Sequence, residues 1–309
     1  MQSTMSEFIF NILLVYLDDL LIYSNSFDQH LTNLRLVFQR LREIGVTLNP
    51  EKCQFVMPEV AFLGHKVSAD GISTDPDKVA AVERWPTPVT AKDVRSFLGL
   101  ASYYRRFVPS FAKVAKPLHN LIGEVHSRDG LQPNKNQTRK QRCAAMSKSE
   151  KRPLSELWTA DCDAAFSALK KALTESPVLG YADYSQEFIV EVDACKYGLG
   201  AVLSQVQGGS SKVIAYASRT LRPSEEKALQ NQYSSRKLEL IAMRWAICDK
   251  FRSYLLGHHF TLYTDNGPLA HWETGKFSAN EQRWLAEIES GFSFTQVLNS
   301  VDHIVPMNF

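Results

Sequence analysis

A pair of adjacent aspartates, Asp18 and Asp19, constrains this chain most, because it interrupts an otherwise apolar run. The flanking segments, 12–17 and 20–24, are short and apolar, which predicts two buried strands joined by a hairpin with both acids at its turn. Carboxylates in a buried setting shift their pKa or bind a cation. Mg²⁺ suits two such acids, since it takes few protein ligands. A solvent-exposed Asp-Asp turn with no special role is the plain alternative.

Composition excludes several classes of protein. The chain has 309 residues, of which 44% are hydrophobic and 22% charged. These values are typical of a globular protein of about two domains, and they exclude collagen, a coiled coil and disorder throughout. The formal net charge of +2 argues mildly against a nucleic-acid partner. Five scattered cysteines without a CxxC pair favour a reduced intracellular protein, cytoplasmic or nuclear, and give no support for zinc.

The apolar stretch 8–17 resembles neither a signal peptide nor a membrane span. No basic residue precedes it, Glu7 adjoins it, and the two aspartates interrupt it. A signal peptide needs a basic start and a small-residue exit. A spanning helix needs about 20 apolar residues. We therefore expect no membrane partner, and a membrane-tethered protein remains the third hypothesis.

Hydrophobic periodicity divides the remainder into regions of different character. Helices with one apolar face are predicted after 73, and a connecting helix is predicted within 157–182. Between them, 123–156 is basic and lacks apolar periodicity, which predicts a flexible linker. A phosphate-binding arm is the alternative for that segment. From 183 onward, three strands, one long helix at about 224–256 and a further strand predict a mixed-sheet α/β domain.

Three further acids stand at positions where this α/β pattern would bring them together. Asp193 ends an apolar strand, Glu239 lies on the predicted long helix, and Asp265 ends the next strand. Acids from two strand ends and one helix can meet at one edge of a sheet. There they can hold two Mg²⁺ about 3.5–4 Å apart for phosphodiester cleavage. Taken singly, each acid also has a plain interpretation, as an ordinary strand-end residue or a solvated helix residue.

Several motifs in the first third of the chain resemble the reverse transcriptase of gypsy-type LTR retrotransposon Pol polyproteins. Tyr16-Leu17-Asp18-Asp19 is similar to the YxDD hairpin of the palm. The other matching segments are Leu48-Asn49-Pro50-Glu51-Lys52-Cys53-Gln54-Phe55 (NPxKCxF), Phe62-Leu63-Gly64-His65 with Gly71-Ile72 (primer grip), and Trp85-Pro86 through Arg105-Arg106-Phe107 (thumb helices). The resemblance implies a partial palm at 1–73 and thumb-like helices at 74–122, belonging to an RNA-directed DNA polymerase.

The same resemblance implies contacts with substrates. Lys52 corresponds to a position near the incoming nucleotide. The expected nucleic-acid contacts are Gly64, His65, Arg105 and Arg106. A template–primer duplex is the partner these residues imply, with Asp18 and Asp19 as metal ligands.

The later acids lie in motifs that resemble the RNase H domain of the same polyproteins. The matching segments are Asp193-Ala194-Cys195, Glu239-Leu240-Ile241-Ala242 and Thr264-Asp265-Asn266-Gly267-Pro268-Leu269. The resemblance implies that Asp193, Glu239 and Asp265 hold Mg²⁺ (or Mn²⁺). It also implies cleavage of RNA in an RNA–DNA hybrid, leaving a 3′-hydroxyl, by an RNase H-like domain at 183–309. The family's fourth acid has one candidate here, Asp302, whose spacing is one residue short.

The polymerase site departs from the family pattern. The family uses a third Asp from an earlier strand, whereas the only acid ahead of Asp18 is Glu7. We therefore expect a truncated Pol fragment of α/β and α+β class: a partial palm and thumb followed by an RNase H-like domain. The polymerase site is incomplete, hybrid cleavage is the surviving activity, and the missing N-terminal part of Pol is a further partner. The alternative is a catalytically dead or domesticated nucleic-acid-binding remnant.

Overall fold

A computed structural model of the chain describes residues 4–128, 153–230, 235–264, 269 and 277–298. Its internal contacts form two compact units, Met1–Ala69 and Asp70–Phe309. The strands are β1 Leu13–Tyr16, β2 Asp19–Ile22, β3 Glu59–Phe62, β4 His65–Ser68, β5 Gly71–Thr74, β6 Phe188–Cys195, β7 Gly198–Gln207, β8 Ser210–Thr220, β9 His259–Thr264 and β10 Ser293–Leu298. The α-helices are α1 Phe27–Glu43, α2 Pro76–Glu83, α3 Ala91–Tyr103, α4 Phe111–Arg128, α5 Ala160–Thr174, α6 Pro223–Gln230, α7 Ser235–Arg244, α8 Arg252–Leu255 and α9 Ala279–Gly291.

The first unit contains two hairpins and one long helix. Strands β1 and β2 pair antiparallel with Tyr16 opposite Asp19, so the connecting loop has two residues. Strands β3 and β4 form the second hairpin. Helix α1 begins after Ser26, whose hydroxyl accepts a hydrogen bond from the Gln29 amide at 3.3 Å. The fully buried core is small and consists of Met5, Leu13, Val37 and Leu41.

The second unit is built on a five-stranded mixed sheet in the order β10-β9-β6-β7-β8. Strand β7 pairs antiparallel with both β6 and β8, whereas β9 runs parallel to both β6 and β10. Alternate residues of β6 (Phe188, Val190, Val192) belong to a core that also contains α7 and α9. Val202 and Tyr216 belong to the other core, with α3, α4 and α5. The predicted mixed-sheet α/β fold is confirmed.

The predicted long helix at about 224–256 is wrong, because the described part of this segment is not one continuous α-helix. It contains α6, α7, a π-helical segment Trp245–Lys250 and α8, while 231–234 lie outside the described residues. The Phe251 amide donates to the Ala246 carbonyl at 2.7 Å, five residues earlier. This wider hydrogen-bond spacing defines a π-bulge, which apolar periodicity does not predict.

Helix α4 extends into the segment predicted as a linker. Its apolar residues, among them Ala115, Leu118 and Val125, are buried at helical spacing, so the helix continues to Arg128. At the other end of that segment, Leu154 is buried and its amide donates to the Val89 carbonyl at 2.9 Å. The predicted linker at 123–156 therefore begins and ends in ordered structure, and 129–152 lie outside the described residues.

No helix in the described part of the chain is long and apolar enough to cross a bilayer. The apolar stretch near the start folds instead into turns followed by β1. The four described cysteines, Cys53, Cys162, Cys195 and Cys248, are free thiols.

Candidate functional site

The hairpin that carries Asp18 and Asp19 has an exposed tip. Both acids are exposed, and Leu17 between the strands is 73% exposed. The predicted buried hairpin is therefore wrong: β1 and β2 have only four residues each, and of these only Leu13 is fully buried. Leu17 has φ +53°, in the left-handed region that a branched side chain rarely adopts. A two-residue hairpin loop requires this conformation, because its favoured turn types place the first loop residue at positive φ.

Glu7 is engaged away from this hairpin. Its carboxylate accepts a hydrogen bond from Arg40, which also donates to Glu43 at 3.0 Å. The hydrogen bond that Arg40 donates to Glu7 and the charge of that carboxylate raise the pKa of Arg40. Within the described ranges, no group of three or more His, Cys, Asp or Glu side chains is placed to hold a metal ion. Asp18 and Asp19 thus form an exposed pair of acids.

Asp193 lies within β6 and not at its end. The strand continues to Cys195, and Asp193 pairs with Gly200 on β7. The expectation that Asp193 ends its strand is corrected, because β6 and β7 stay paired for two further residues. The side chain is partly exposed, unlike the fully buried Phe188 and Val190 at the start of the strand. This position combines a fixed backbone with access to solvent.

Glu239 is 3% exposed on α7, among buried apolar neighbours. Leu238 and Leu240 flank it, and both belong to the core between the helices and the sheet. The plain interpretation of Glu239 as a solvated helix residue is therefore wrong. Helix α7 packs directly against β6. The structure thus places the two described acids, Asp193 and Glu239, on elements that are in contact.

Asp265 and Asp302 lie outside the described residues. The register of the strands before Asp265 is nevertheless fixed. In the parallel pair β6–β9, Glu191 lies opposite Tyr263. Asp193 follows Glu191 by two residues, as Asp265 follows Tyr263. The metal-ligand roles of Asp265 and Asp302 stay predictions.

Lys52, Gly64 and His65 all lie at or near the surface of the first unit. Lys52 is exposed at the end of a short 3₁₀ helix, Pro50–Lys52. Gly64 has φ +67° in the turn between β3 and β4, a conformation that glycine adopts without strain. The Nδ1 atom of His65 lies 2.9 Å from the Leu63 carbonyl oxygen. Their contacts with nucleotide or nucleic acid stay predictions.

Arg105 and Arg106 are engaged with β8. The Arg105 guanidinium donates to the Ser218 carbonyl, and Arg106 donates to the Ile214 carbonyl at 3.3 Å. Burial lowers the pKa of Arg105. Because β8 is an edge strand, these bonds satisfy carbonyls that would otherwise face outward. Their predicted role in nucleic-acid binding stays a prediction, and the described contacts are structural.

Sequence reasoning missed three residues around the β6–β7 turn. Lys196 and Tyr197 form the turn itself, and Lys116 on α4 lies against the Tyr197 ring. The sequence feature that could have pointed to Lys196 and Tyr197 is their position, three and four residues after Asp193. Lys116 could not be added from sequence, because its proximity depends on tertiary packing.

Two family models match the chain. Residues 158–262 match the RNase H-like domain found in reverse transcriptase, and residues 1–67 match reverse transcriptase (RNA-dependent DNA polymerase). The retrovirus-related Pol polyproteins of three Drosophila melanogaster transposons are similar in sequence. Identity is 37% for opus, 36% for 297 and 31% for gypsy, over 93%, 89% and 94% of this chain. The chain spans about a quarter of each relative, at 27%, 23% and 26%.

Solved structures share the fold. A foamy viral protease-reverse transcriptase in complex with double-stranded DNA superposes with a TM-score of 0.75 and 22% identity, over 97% of this chain and 48% of that one. A complex of the foamy viral protein with an RNA/DNA hybrid gives a TM-score of 0.72 and 22% identity, over 97% and 37%. The sequence matches show that the chain belongs to the Pol polyproteins of LTR retrotransposons and that it contains reverse-transcriptase and RNase H-like sequence.

Proposed function

We propose that the chain cleaves the RNA strand of RNA–DNA hybrids in a Mg²⁺-dependent reaction. The metal ligands would be Asp193 and Glu239, completed by Asp265 and by Asp302. We propose five parts: partial palm at 1–73, thumb-like helices at 74–122, basic linker at 123–156, connecting helix at 157–182 and RNase H-like domain at 183–309. Helix α4 extends into the linker as far as Arg128. The free cysteines favour a reducing compartment, cytoplasmic or nuclear.

The burial of Glu239 carries this proposal. A carboxylate that is 3% exposed on an apolar helix face costs stability unless its charge is compensated. Glu239 lies on the helix that packs on β6, and β6 carries Asp193. We infer that a cation bound between carboxylates on these two contacting elements would compensate this cost.

The donor set fits a hard divalent cation. Asp and Glu offer only oxygen ligands, which Mg²⁺ and Mn²⁺ prefer. When bound, the metal would supply charge stabilisation for phosphodiester hydrolysis. The chain's own contribution is a fixed ligand on β6, a second on α7 and a rigid apolar support beneath both. Such support matters because small displacements of a ligand weaken a metal site.

The partner we propose is an RNA–DNA hybrid, and the RNA/DNA hybrid held by the structurally similar foamy viral protein supports it. For DNA synthesis on a template–primer, Asp18 and Asp19 would need a third carboxylate to bridge two metals. We expect that acid from the N-terminal part of Pol as a partner, since Glu7 is bound by Arg40.

Cleavage of a labelled RNA–DNA hybrid with Mg²⁺ tests the proposal. Asp193→Asn and Glu239→Gln should each lower the rate at least about 100-fold, because even groups that only support a ligand typically cost 10–100-fold. Asp249→Asn is the matched control: this exposed acid lies on the π-helical segment and should leave the rate unchanged. Cleavage that survives both substitutions would falsify the assignment.

A nucleic-acid-binding remnant is the second candidate. It is favoured by the spacing of Asp302, which is one residue short of the family pattern. Such a protein would bind the hybrid with equal affinity in Mg²⁺ and in EDTA and would cut neither strand. Turnover that is lost in Asp193→Asn would exclude it.

A further inference from the structure

Two lysines approach one tyrosine ring at the β6–β7 turn. Lys196 Nζ lies 5.0 Å from the centroid of the Tyr197 ring, and Lys116 Nζ lies 5.7 Å from the same centroid. Both distances are in the range of a cation–π contact. Tyr197 is 43% exposed and Lys196 is exposed, so the cluster is open to solvent. It combines a residue of α4 with residues of the sheet.

The charge of this cluster is positive. Glu226 Oε1 lies 3.9 Å from Lys116 Nζ, and this carboxylate is itself half-exposed. Lys196 has no carboxylate partner within the described part of the chain. Because each ammonium lies within 6 Å of one centroid, the two are no more than about 11 Å apart. A nucleic-acid strand rises 3.4 Å per nucleotide, so about three nucleotides cover that span.

The turn has a fixed position relative to Asp193. Cys195 pairs with Gly198 across it, and Asp193 precedes Cys195 on the same strand. At a rise of about 3.3 Å per residue, the turn lies about 10 Å from Asp193. Gly198 holds this end of β7 against β8, since a Cβ there would lie 2.5 Å from the Arg219 carbonyl oxygen. Strand pairing therefore fixes the turn on the sheet, and α4, which carries Lys116, packs against β8 of the same sheet.

We propose that Lys116, Lys196 and Tyr197 form a binding site for backbone phosphates of the hybrid, two to three nucleotides from the bond that is cut. This site rests on the proposed function and deepens it. The lysines act as point charges for phosphate. The tyrosine ring holds both ammonium groups at the surface, and its hydroxyl offers a further donor. Helix α4 thereby contributes directly to substrate binding by the RNase H-like domain.

Salt-dependent binding of the full chain to a labelled RNA–DNA hybrid, measured by fluorescence anisotropy in EDTA, tests this site. The double variant Lys116→Gln with Lys196→Gln should bind more weakly and reduce the slope of log Kobs against log[salt] by about two, or about one per lysine. Lys171→Gln is the matched control, since Lys171 also pairs with a glutamate, Glu175, at 3.9 Å and lies on an exposed helix face. Its slope should equal that of the wild type.

A second pair of variants separates the ring from its hydroxyl. Tyr197→Leu should weaken binding about two- to fivefold, the value of an exposed cation–π contact, and Tyr197→Phe should restore most of it. Equal salt slopes in the wild type and the double variant would overturn the site. A reduction of the slope in Lys171→Gln as large as in the double variant, or a wild type that does not bind the hybrid, would also overturn it. Because binding is measured without metal, a chain that binds through these lysines but fails to cleave contradicts only the proposed catalysis.

Discussion

The chain carries two sets of carboxylates in opposite physical settings. Asp18 and Asp19 stand at the exposed tip of a four-residue hairpin, in a unit with four fully buried apolar side chains. Asp193 and Glu239 stand on a strand and a helix that enclose an extensive core. Exposed acids are hydrated at little cost, whereas a buried acid requires compensation. Burial therefore separates Glu239 from Asp18 and Asp19, and the proposed cation site rests on this difference.

The largest effect should come from the core beneath the sheet. Phe188 is fully buried on β6, so Phe188→Ala should cost about 3–5 kcal/mol in the free energy of unfolding, through lost burial and a residual cavity. The matched substitution in the first unit is Phe10→Ala, at a residue that is 82% exposed. It should change stability by no more than about 0.5 kcal/mol. Urea denaturation measures both, and similar losses would break the contrast.

The next effect concerns the ion pair between β8 and α6. Arg219 and Glu225 are mostly buried and joined by two hydrogen bonds of 2.7 and 2.9 Å. Burial alone would raise the pKa of Glu225, but the hydrogen bonds from Arg219 and from the Arg222 amide lower it overall. We expect Glu225→Gln to cost about 1–3 kcal/mol at pH 7, in line with a hydrogen bond to a charged group.

The pH dependence of that loss has a definite sign. A carboxyl with a lowered native pKa contributes stability above its ordinary pKa of about 4.3, and this contribution is lost as pH falls through the lowered value. The difference in free energy of unfolding between wild type and Glu225→Gln should therefore be full at pH 7. It should disappear as the pH falls through the lowered pKa of Glu225. The exposed pair of Arg40 and Glu43 is the comparison: Glu43→Gln should give no measurable change at either pH. A stability difference between wild type and Glu225→Gln that grows in acid would contradict the ion pair between Arg219 and Glu225.

Helix caps give the smallest predicted effect. In the second unit, the Asp93 amide donates to Thr90 Oγ1 at 3.3 Å and the Thr90 amide donates to Asp93 Oδ2 at 2.9 Å. In the first unit, Ser26 accepts one bond from the Gln29 amide, and the Gln29 side chain accepts from the Asn25 amide at 3.3 Å and not from Ser26. Thr90→Ala should cost about 1 kcal/mol, and Ser26→Ala about 0.5 kcal/mol. Thermal unfolding monitored by circular dichroism would show the order, and a reversed order would refute the reasoning.

Local patterns predicted much of this architecture. The strands around Asp193 and the mixed sheet follow from apolar runs separated by turns, and α3 follows from its apolar face. The π-helical segment at Trp245–Lys250 could not be predicted, because a shift in the hydrogen-bond ladder leaves the apolar pattern almost unchanged. The extent of α4 was missed for a different reason: its last turns are buried by residues distant in the sequence.

The candidate site could also be predicted only in part from the sequence. Motif resemblance identified Asp193 and Glu239, but the burial of Glu239 depends on how α7 packs on β6. The hairpin illustrates the opposite error, since apolar flanks suggested burial whereas the short strands leave Leu17 and its neighbours exposed. The contact of Lys116 with Tyr197 joins distant parts of the sequence, so no local pattern could reveal it.

Mn²⁺ binding measured by isothermal titration calorimetry tests the central claim most directly, because it reports on the ligands without requiring turnover. Wild type, Asp193→Asn and the double variant Asp18→Asn with Asp19→Asn should be titrated side by side in the absence of nucleic acid. We expect Mn²⁺ binding to be lost or weakened at least about tenfold in Asp193→Asn. We expect unchanged binding in the double hairpin variant. Binding that survives in Asp193→Asn but disappears in the hairpin variant would contradict the account.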